Sequence, residues 1–131
     1  MSKRILLIDD EELITRTLAN ALEKNGYEVL VAKSGNDALA MAEEEKFDLI
    51  LSDIRMPGLN GVETVKRIFE VLRKRGLGKI PSIFVTGYAD PAIEAQAKAL
   101  NPKAYIYKPF DYQEFLGTVK KALGGPPLAD S

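Results

Sequence analysis

The sequence FDLILSD occupies residues 47–53 and has the pattern of a buried strand. Its central Leu49-Ile50-Leu51 run is continuously apolar, which is typical of a strand buried on both faces. Strands of this kind occur mainly in parallel sheets that are covered by helices on both sides. The stretch therefore predicts a strand over residues 47–52, with an acidic residue, Asp53, at its carboxyl end.

Other short runs have the composition of strands, and they lie at residues 4–8, 28–32, 80–86 and 104–107. Between the strands, apolar residues recur at the spacing of an amphipathic helix. Ile14, Leu18 and Leu22 do so in a helix predicted over residues 11–25. Gly26 follows that helix in the position where glycine commonly ends one. Strand-like runs and segments with helical spacing alternate along the chain, which predicts five strands and five helices.

The remaining predicted helices begin at residues whose side chains can accept hydrogen bonds from the N–H groups of a first helical turn. These residues are Ser34, Asn60, Asp90 and Asp111. Pro91, directly after Asp90, occupies a first helical position, where a missing N–H is tolerated. The last helix is predicted to end at Leu123, before a Gly-Gly-Pro-Pro run.

Strands that alternate with helices along a chain form a parallel sheet with helices on both faces. Right-handed crossovers leave few topologies for such a chain, and the flavodoxin-like strand order 2-1-3-4-5 is common at this length. We therefore predict an α/β fold with a doubly wound five-stranded parallel sheet, a flavodoxin-like (βα)5 arrangement. One domain is predicted over residues 1–123, and residues 124–131 are predicted to be a tail or the start of a linker.

The composition excludes several kinds of function. The 131 residues include no cysteine and no histidine, which excludes disulfides, thiolate chemistry, histidine catalysis and His-ligated zinc. The net charge of −1 and the lack of a Lys/Arg cluster argue against direct nucleic-acid binding. No apolar run approaches the roughly 20 residues of a membrane span, and a cytoplasmic protein is expected.

Acidic, hydroxyl and amine side chains stand at the carboxyl ends of the predicted strands. Asp9 and Asp10 follow the first strand and Asp53 follows the third, whereas Thr86 ends the fourth and Lys108 follows the fifth. Parallel topology brings these ends to one edge of the sheet, where the sites of such folds lie. Asp9 and Asp10 taken alone could equally be helix caps, and Thr86 and Lys108 could be ordinary strand and surface residues.

The combination of these residue types suits phosphoryl transfer. Converging carboxylates repel one another, and Mg²⁺ relieves this because it binds carboxylates together with water and phosphate oxygens. Beside the metal, Asp53 can act as a carboxylate nucleophile and form an aspartyl phosphate, and Lys108 can offset the charge of the transferring group. The Thr86 hydroxyl can then turn towards a phosphoryl oxygen and leave space near Tyr105 on the neighbouring strand.

At these residues the sequence resembles the response-regulator receiver domain of two-component signalling, of the chemotaxis-receiver type. The resemblance covers about residues 3–123. Each motif is weak alone, but together they are highly specific. The motifs are Ile8-Asp9-Asp10-Glu11, Asp53 with Met56-Pro57 and Gly61, Thr86-Gly87, and Lys108-Pro109-Phe110.

The resemblance implies a metal site that holds Mg²⁺, with Mn²⁺ as an alternative. Asp9 and Asp10 belong to this site, with Asp10 as the more direct ligand. Asp53 is the phospho-acceptor and a metal ligand, and the backbone carbonyl of Arg55 is the main-chain ligand. Arg55 and Tyr88 also flank the site, at positions that tune the phosphoryl lifetime in this family.

The resemblance further implies how phosphorylation is sensed. Thr86 is the switch hydroxyl, Tyr105 the switch aromatic and Lys108 the phosphate-binding lysine, and the Lys108–Pro109 bond is commonly cis in this family. By position alone, a tyrosine on a terminal strand is more often a packing residue than a switch. The chain also departs from the family pattern, because Asn60 replaces a frequent aspartate, Gly87 a usual alanine, and residues 100–104 lack a customary glycine.

The implied function is a signalling switch rather than a metabolic enzyme. A sensor histidine kinase or a histidine phosphotransfer protein would supply the phosphoryl group from a phosphohistidine. The switched surface would be the fourth helix, fifth strand and fifth helix, facing an unknown output partner or domain. A homodimer is compatible with the resemblance, and a membrane partner is not expected.

Two alternatives belong to other classes of protein. A haloacid-dehalogenase-type phosphatase also uses an aspartate nucleophile with Mg²⁺, a hydroxyl and a lysine. Its nucleophile lies in an Asp-x-Asp motif, however, whereas Asp53 is followed by Ile54 and Arg55. The other alternative is an interaction module of the same fold that is never phosphorylated.

Overall fold

A computed structural model of the chain describes residues 2–87 and 89–124. Strands and helices alternate strictly along it. The strands are β1 (Arg4–Ile8), β2 (Glu28–Ala32), β3 (Leu49–Asp53), β4 (Ser82–Thr86) and β5 (Ala104–Tyr107). The helices are α1 (Glu12–Lys24), α2 (Gly35–Glu44), α3 (Gly61–Lys74), α4 (Pro91–Lys98) and α5 (Tyr112–Ala122).

The strands form one parallel sheet in the order β2-β1-β3-β4-β5, which confirms the predicted topology. β1 lies between β2 and β3, so the order along the sheet reverses between β1 and β3. Crevices outside the carboxyl ends of strands open at such a reversal, because the helices that follow the two strands lie on opposite faces. Asp9 directly follows β1 and Asp53 ends β3, which places both residues at this point.

The two faces of the sheet are covered by separate apolar clusters, because successive side chains of a strand point to opposite sides. On one face, Ile5, Leu49 and Ile83 pack with buried residues of α1 and α5. On the other face, Leu6, Ile50 and Phe84 pack with residues of α2, α3 and α4. The central strands are therefore apolar on both sides, as the FDLILSD stretch predicts.

The predicted helix caps are present. Ser34, Asn60, Asp90 and Asp111 each accept hydrogen bonds from backbone N–H groups in the first turn of the helix that follows. Gly26 has a φ of +90°, the left-handed conformation in which glycine ends a helix without strain.

The predicted bounds of β3 and β4 are wrong at their starts. β3 begins at Leu49 instead of residue 47 and includes Asp53, and β4 begins at Ser82 instead of residue 80. Phe47 and Ile80 are apolar because they pack against the core from the preceding loops, not because they lie in the sheet. The predicted bounds of β1, β2 and β5 are confirmed.

The segment without a glycine before β5 turns at Asn101, whose φ is +55°. Asparagine tolerates the left-handed region better than most residues, so it can replace the customary glycine there. Tyr88 and residues 125–131, which include most of the predicted tail, lie outside the described residues, and the domain boundary after Leu123 stays a prediction. No helix of the described part of the chain has both the length and the apolar character needed to cross a membrane.

Candidate functional site

Asp9 and Asp53 are two buried carboxylates at the point where the strand order reverses. Asp9 is 3% exposed and Asp53 is 7% exposed. The Asp9 Oδ1 atom accepts a hydrogen bond from the Glu11 N–H at 2.9 Å, and the Asp53 Oδ1 atom accepts one from the Ile54 N–H at 2.7 Å. Each carboxylate therefore has one oxygen held by the backbone and a second oxygen available to the site.

Lys108 joins these two carboxylates from the end of β5. Its Nζ atom lies 3.3 Å from Asp53 Oδ2 and 3.4 Å from Asp9 Oδ2. The backbone N–H of Lys108 donates to the carbonyl of Thr86 at 2.8 Å, which anchors the residue to the end of β4. The Lys108–Pro109 peptide bond is cis, as the resemblance implies.

The electrostatics of the site reflect burial and close charges. Burial raises the pKa of Asp9, and the nearby Asp53 charge adds to this, although the Glu11 N–H and Lys108 oppose it. Burial lowers the pKa of Lys108, but the carboxylates of Asp53 and Asp9 outweigh burial, and its pKa lies above the ordinary value. The lysine is therefore held as a cation between the two acids.

Asp10 completes a group of acids that fits a hard cation. One carboxylate oxygen from each of Asp9, Asp10 and Asp53 lies within 4.8 Å of the others, with Asp10 exposed and the other two buried. Glu11, not an aspartate, occupies the N-cap position of α1, so the alternative that Asp9 and Asp10 cap this helix is wrong. A cluster of carboxylates open to solvent on one side is the donor set that Mg²⁺ prefers.

Thr86 and Tyr105 lie on the neighbouring strands β4 and β5. Thr86 is the last residue of β4 and is fully buried, and it pairs in register with Tyr107 of β5. Tyr105 is half-buried, and its ring lies 6.3 Å from that of Phe84. Both side chains are thus where the sequence predicts them, and Tyr105 also has a packing role.

Arg55 is exposed in the loop between β3 and α3, and Gly61 closes that loop. The Gly61 N–H donates to the Ile54 carbonyl at 2.8 Å, and a Cβ at residue 61 would lie 1.8 Å from the Asp53 carbonyl oxygen. Only glycine therefore lets α3 begin so close to Asp53. At Gly87 a Cβ would make ordinary contacts of 3.7–3.8 Å with the Lys108 side chain, so the protein has room for the alanine usual there.

Sequence reasoning missed two contacts around the site. The exposed carboxylate of Glu11 lies 3.6 Å from the Lys108 Nζ atom, although Glu11 directly follows the paired aspartates in the sequence. The Tyr107 hydroxyl donates a hydrogen bond to Glu94 of α4. Because alternate side chains of a strand point to the same face, the sequence of β5 could have placed Tyr107 beside Tyr105. No feature of the sequence near Tyr107 indicates a contact with Glu94.

Known proteins resemble this chain in sequence and in structure. Residues 5–120 match the family model of the response regulator receiver domain. PilH of Pseudomonas aeruginosa is 35% identical over 122 residues, which cover 93% of this chain and 98% of PilH. The transcriptional regulatory protein CrdR of Helicobacter pylori is 34% identical over 128 residues, or 98% of this chain, but the chain spans only 58% of CrdR.

A solved structure agrees with this assignment. The CheY-like response regulator receiver domain protein of Methanospirillum hungatei JF-1 superposes with a TM-score of 0.86 at 32% identity, covering 95% of each chain. The family match decides against the haloacid-dehalogenase alternative. The chain belongs to the response regulator receiver domain family, whose members act as signalling switches.

Proposed function

We propose that Asp53 is the phospho-acceptor of this receiver domain. The observation that carries the proposal is the position of its Oδ2 atom, 3.3 Å from the Lys108 ammonium and within the carboxylate cluster of Asp9 and Asp10. A carboxylate so placed has a cation ready to offset the charge of an incoming phosphoryl group. Its other oxygen is held by the Ile54 N–H, which fixes the orientation of the nucleophile.

The metal site proposed here is formed by the side chains of Asp9, Asp10 and Asp53 and the backbone carbonyl of Arg55. The cation is Mg²⁺, with Mn²⁺ as an alternative, because all the donors are oxygens. A bound divalent cation supplies charge neutralisation and orients the phosphoryl oxygens. The repulsion among the three carboxylates supports this proposal, since one lysine carries a single positive charge against them.

The reaction is a transfer of one phosphoryl group. The Asp53 carboxylate oxygen attacks phosphorus, the new P–O bond forms, and the P–N bond of a phosphohistidine breaks. The electron pair of that bond returns to the imidazole of the donor, which gains a proton from solvent. Lys108 offsets charge on the transferring group, and the product is an aspartyl phosphate that water later hydrolyses.

The partners follow from this chemistry. The donor is a sensor histidine kinase or a histidine phosphotransfer protein, because the chain contains no histidine of its own. The protein catalyses at most its own phosphorylation and dephosphorylation. Thr86 and Tyr105 communicate the change to a surface made by α4, β5 and α5, which faces an output partner or domain.

One experiment tests the acceptor. The protein is incubated with Mg²⁺ and acetyl phosphate, and intact mass is measured for wild type, Asp53→Asn and Asp37→Asn. We expect one added phosphoryl group on wild type and on Asp37→Asn, whose exposed carboxylate lies in α2 and is not part of the Asp9, Asp10 and Asp53 group, but none on Asp53→Asn. Asp10→Asn removes one proposed metal ligand, so a higher Mg²⁺ concentration should be needed for the same amount of adduct.

The outcomes separate the alternatives. If several phosphodonors give no adduct, and beryllofluoride causes no NMR shifts at Thr86 and Lys108, the module that is never phosphorylated becomes the better description. Multiple-turnover hydrolysis of unrelated phosphate esters would indicate a phosphatase instead. For the switch, Tyr105→Ala should keep the adduct but weaken coupling to a partner, and unchanged coupling would remove Tyr105 from that role.

A further inference from the structure

Helix α4 is weakly packed against the rest of the protein. Among the described residues of this helix, Ala97 is the one that is buried. Ile93 is only partly buried where it packs against the apolar cluster, as is Leu100 just beyond the helix. Burial of apolar area is what fixes most helices in place, so α4 needs other contacts to define its position.

A cavity of about 610 Å³, which is a groove open to solvent, lies beside the start of α4. Its walls come from the loop after β3, through Met56 and Pro57, and from the start of α4, through Asp90 and Ile93. Close packing restrains an element on the sides where it has neighbours, and the groove leaves this side of α4 facing solvent. The helix therefore has room to shift towards the loop that follows the phospho-acceptor.

Helix α4 is also tied to β5 by a polar contact. The Tyr107 hydroxyl donates to the Glu94 carboxylate, which also lies 2.9 Å from the Lys98 Nζ atom. The Tyr107 ring packs edge-on against the Tyr105 ring, with 5.4 Å between the centroids. We call the hydrogen bond from Tyr107 to Glu94 the α4 tether.

The tether is linked to the site through two adjacent residues. Tyr107 pairs in register with Thr86, and the next residue is Lys108, which donates its backbone N–H to the Thr86 carbonyl and reaches Asp53 with its Nζ atom. A shift of Lys108 or of the Thr86 hydroxyl towards a phosphoryl group therefore acts on the strand position that carries the tether.

We propose that the α4 tether holds this helix in its resting position and that phosphorylation of Asp53 releases it. This inference rests on the proposed function of Asp53. Lys108 and the Thr86 hydroxyl are drawn towards the phosphoryl group, and the Tyr105 ring turns into the space left by the hydroxyl. Tyr107 then loses the ring that supports it, its bond to Glu94 breaks, and α4 shifts towards the cavity.

The test uses variants of the full chain that remove single contacts. Tyr107→Phe removes the tether hydroxyl and keeps the ring. Tyr112→Phe is the matched control, because it removes a hydroxyl from a similarly exposed tyrosine, 48% against 44%, on α5. Glu94→Ala removes the acceptor, and Lys98→Ala removes the Glu94–Lys98 ion pair while it keeps the tether.

The first measurement is amide hydrogen exchange in α4 of the unphosphorylated protein. Tyr107→Phe and Glu94→Ala should each speed exchange in α4 by about fivefold and leave β1 and β3 unchanged, as expected for the loss of one hydrogen bond that opens locally. Adding Tyr107→Phe to Glu94→Ala should change little. Exchange in α4 that is no faster in Tyr107→Phe than in Tyr112→Phe overturns the proposal.

The second measurement repeats the exchange with Mg²⁺ and beryllofluoride. Binding should speed α4 exchange about fivefold in wild type and Tyr112→Phe, but by less than twofold in Tyr107→Phe, whose tether is already lost. If beryllofluoride speeds α4 exchange equally in wild type, Tyr112→Phe and Tyr107→Phe, the tether is purely structural and its regulatory role is overturned. If wild type shows neither an adduct by intact mass nor NMR shifts with beryllofluoride, the proposed function of Asp53 is overturned, and the proposed release of α4 is overturned with it. If wild type shows the adduct and the shifts but the exchange results fail, only the role of the tether is overturned.

Discussion

Helices α3 and α4 contact each other on the same face of the sheet, but they are held there in different ways. α3 has 14 residues and buries a continuous apolar face that includes Val65, Ile68 and Leu72. α4 has 8 residues, and besides the buried Ala97 it has the Asp90 cap and the Tyr107–Glu94 bond. Apolar contacts are numerous and change together, whereas a single polar contact can be broken by a small local shift.

The two helices also differ in what lies beside them. α3 begins against the Asp53 backbone through Gly61, so the start of this helix lies close to the end of β3. α4 borders a groove that is open to solvent, and it is bonded to the edge strand β5 through Tyr107. The switch proposed above needs a fixed acceptor that is coupled to a movable surface.

The largest expected effect comes from disturbing the start of α3. Gly61→Ala places a Cβ against the Asp53 carbonyl, and because both partners are backbone, the free energy of unfolding should fall by more than about 3 kcal/mol. Gly117→Ala in α5 is the control, since a Cβ there has nothing within 4 Å, and it should stabilise by about 0.5–1 kcal/mol. Urea unfolding measures both, and a neutral Gly61→Ala would contradict the close approach.

The next effect compares equivalent truncations on the two helices. Ile68→Ala empties a fully buried position of α3 and should cost about 3 kcal/mol. Ile93→Ala acts on the half-buried flank of α4 and should cost about 1 kcal/mol, since part of its area already faces solvent. Equal losses in urea unfolding would show that α4 is packed as firmly as α3.

A smaller effect separates global from local stability. Asn60→Ala and Asp90→Ala each remove the side-chain cap of one helix, which costs about 1 kcal/mol. For α3 the loss should appear in the unfolding of the whole domain. For α4 it should appear mainly as faster hydrogen exchange confined to that helix. If Asp90→Ala lowers the midpoint of urea unfolding as much as Asn60→Ala does, α4 unfolds only with the domain.

The smallest effect concerns pH. The hydrogen bond to Glu94 raises the pKa of Tyr107 from 10.0 to about 12. The stability that this bond provides is therefore fully present below pH 10 and is lost as the pH rises to about 12. The difference between the absorbance titrations of wild type and Tyr107→Phe should show this raised pKa, and Glu94→Ala should return it towards the ordinary value. A Tyr107 that already titrates normally in wild type would contradict the tether.

Much of the fold could be predicted because its strands are short apolar runs between charged or turn residues. β1, β2 and β5 have the predicted bounds for this reason. Phe47 and Ile80 misled the prediction, because an apolar loop residue that packs on the core has the same local composition as a strand residue. Periodicity reports burial, and burial alone does not distinguish a strand from a packed loop.

The sequence by itself determined the order of elements, the helix caps and the set of chemical groups at the carboxyl edge, because these depend on local patterns and on the rules of parallel sheets. Which of these groups are in contact depends on the tertiary structure. The contact of Lys108 with Asp9 and Asp53 spans 99 and 55 residues, and the bond from Tyr107 to Glu94 depends on how α4 lies against β5. Such contacts are set by the way whole helices and strands pack together, and the residues of one local stretch of sequence do not determine that packing.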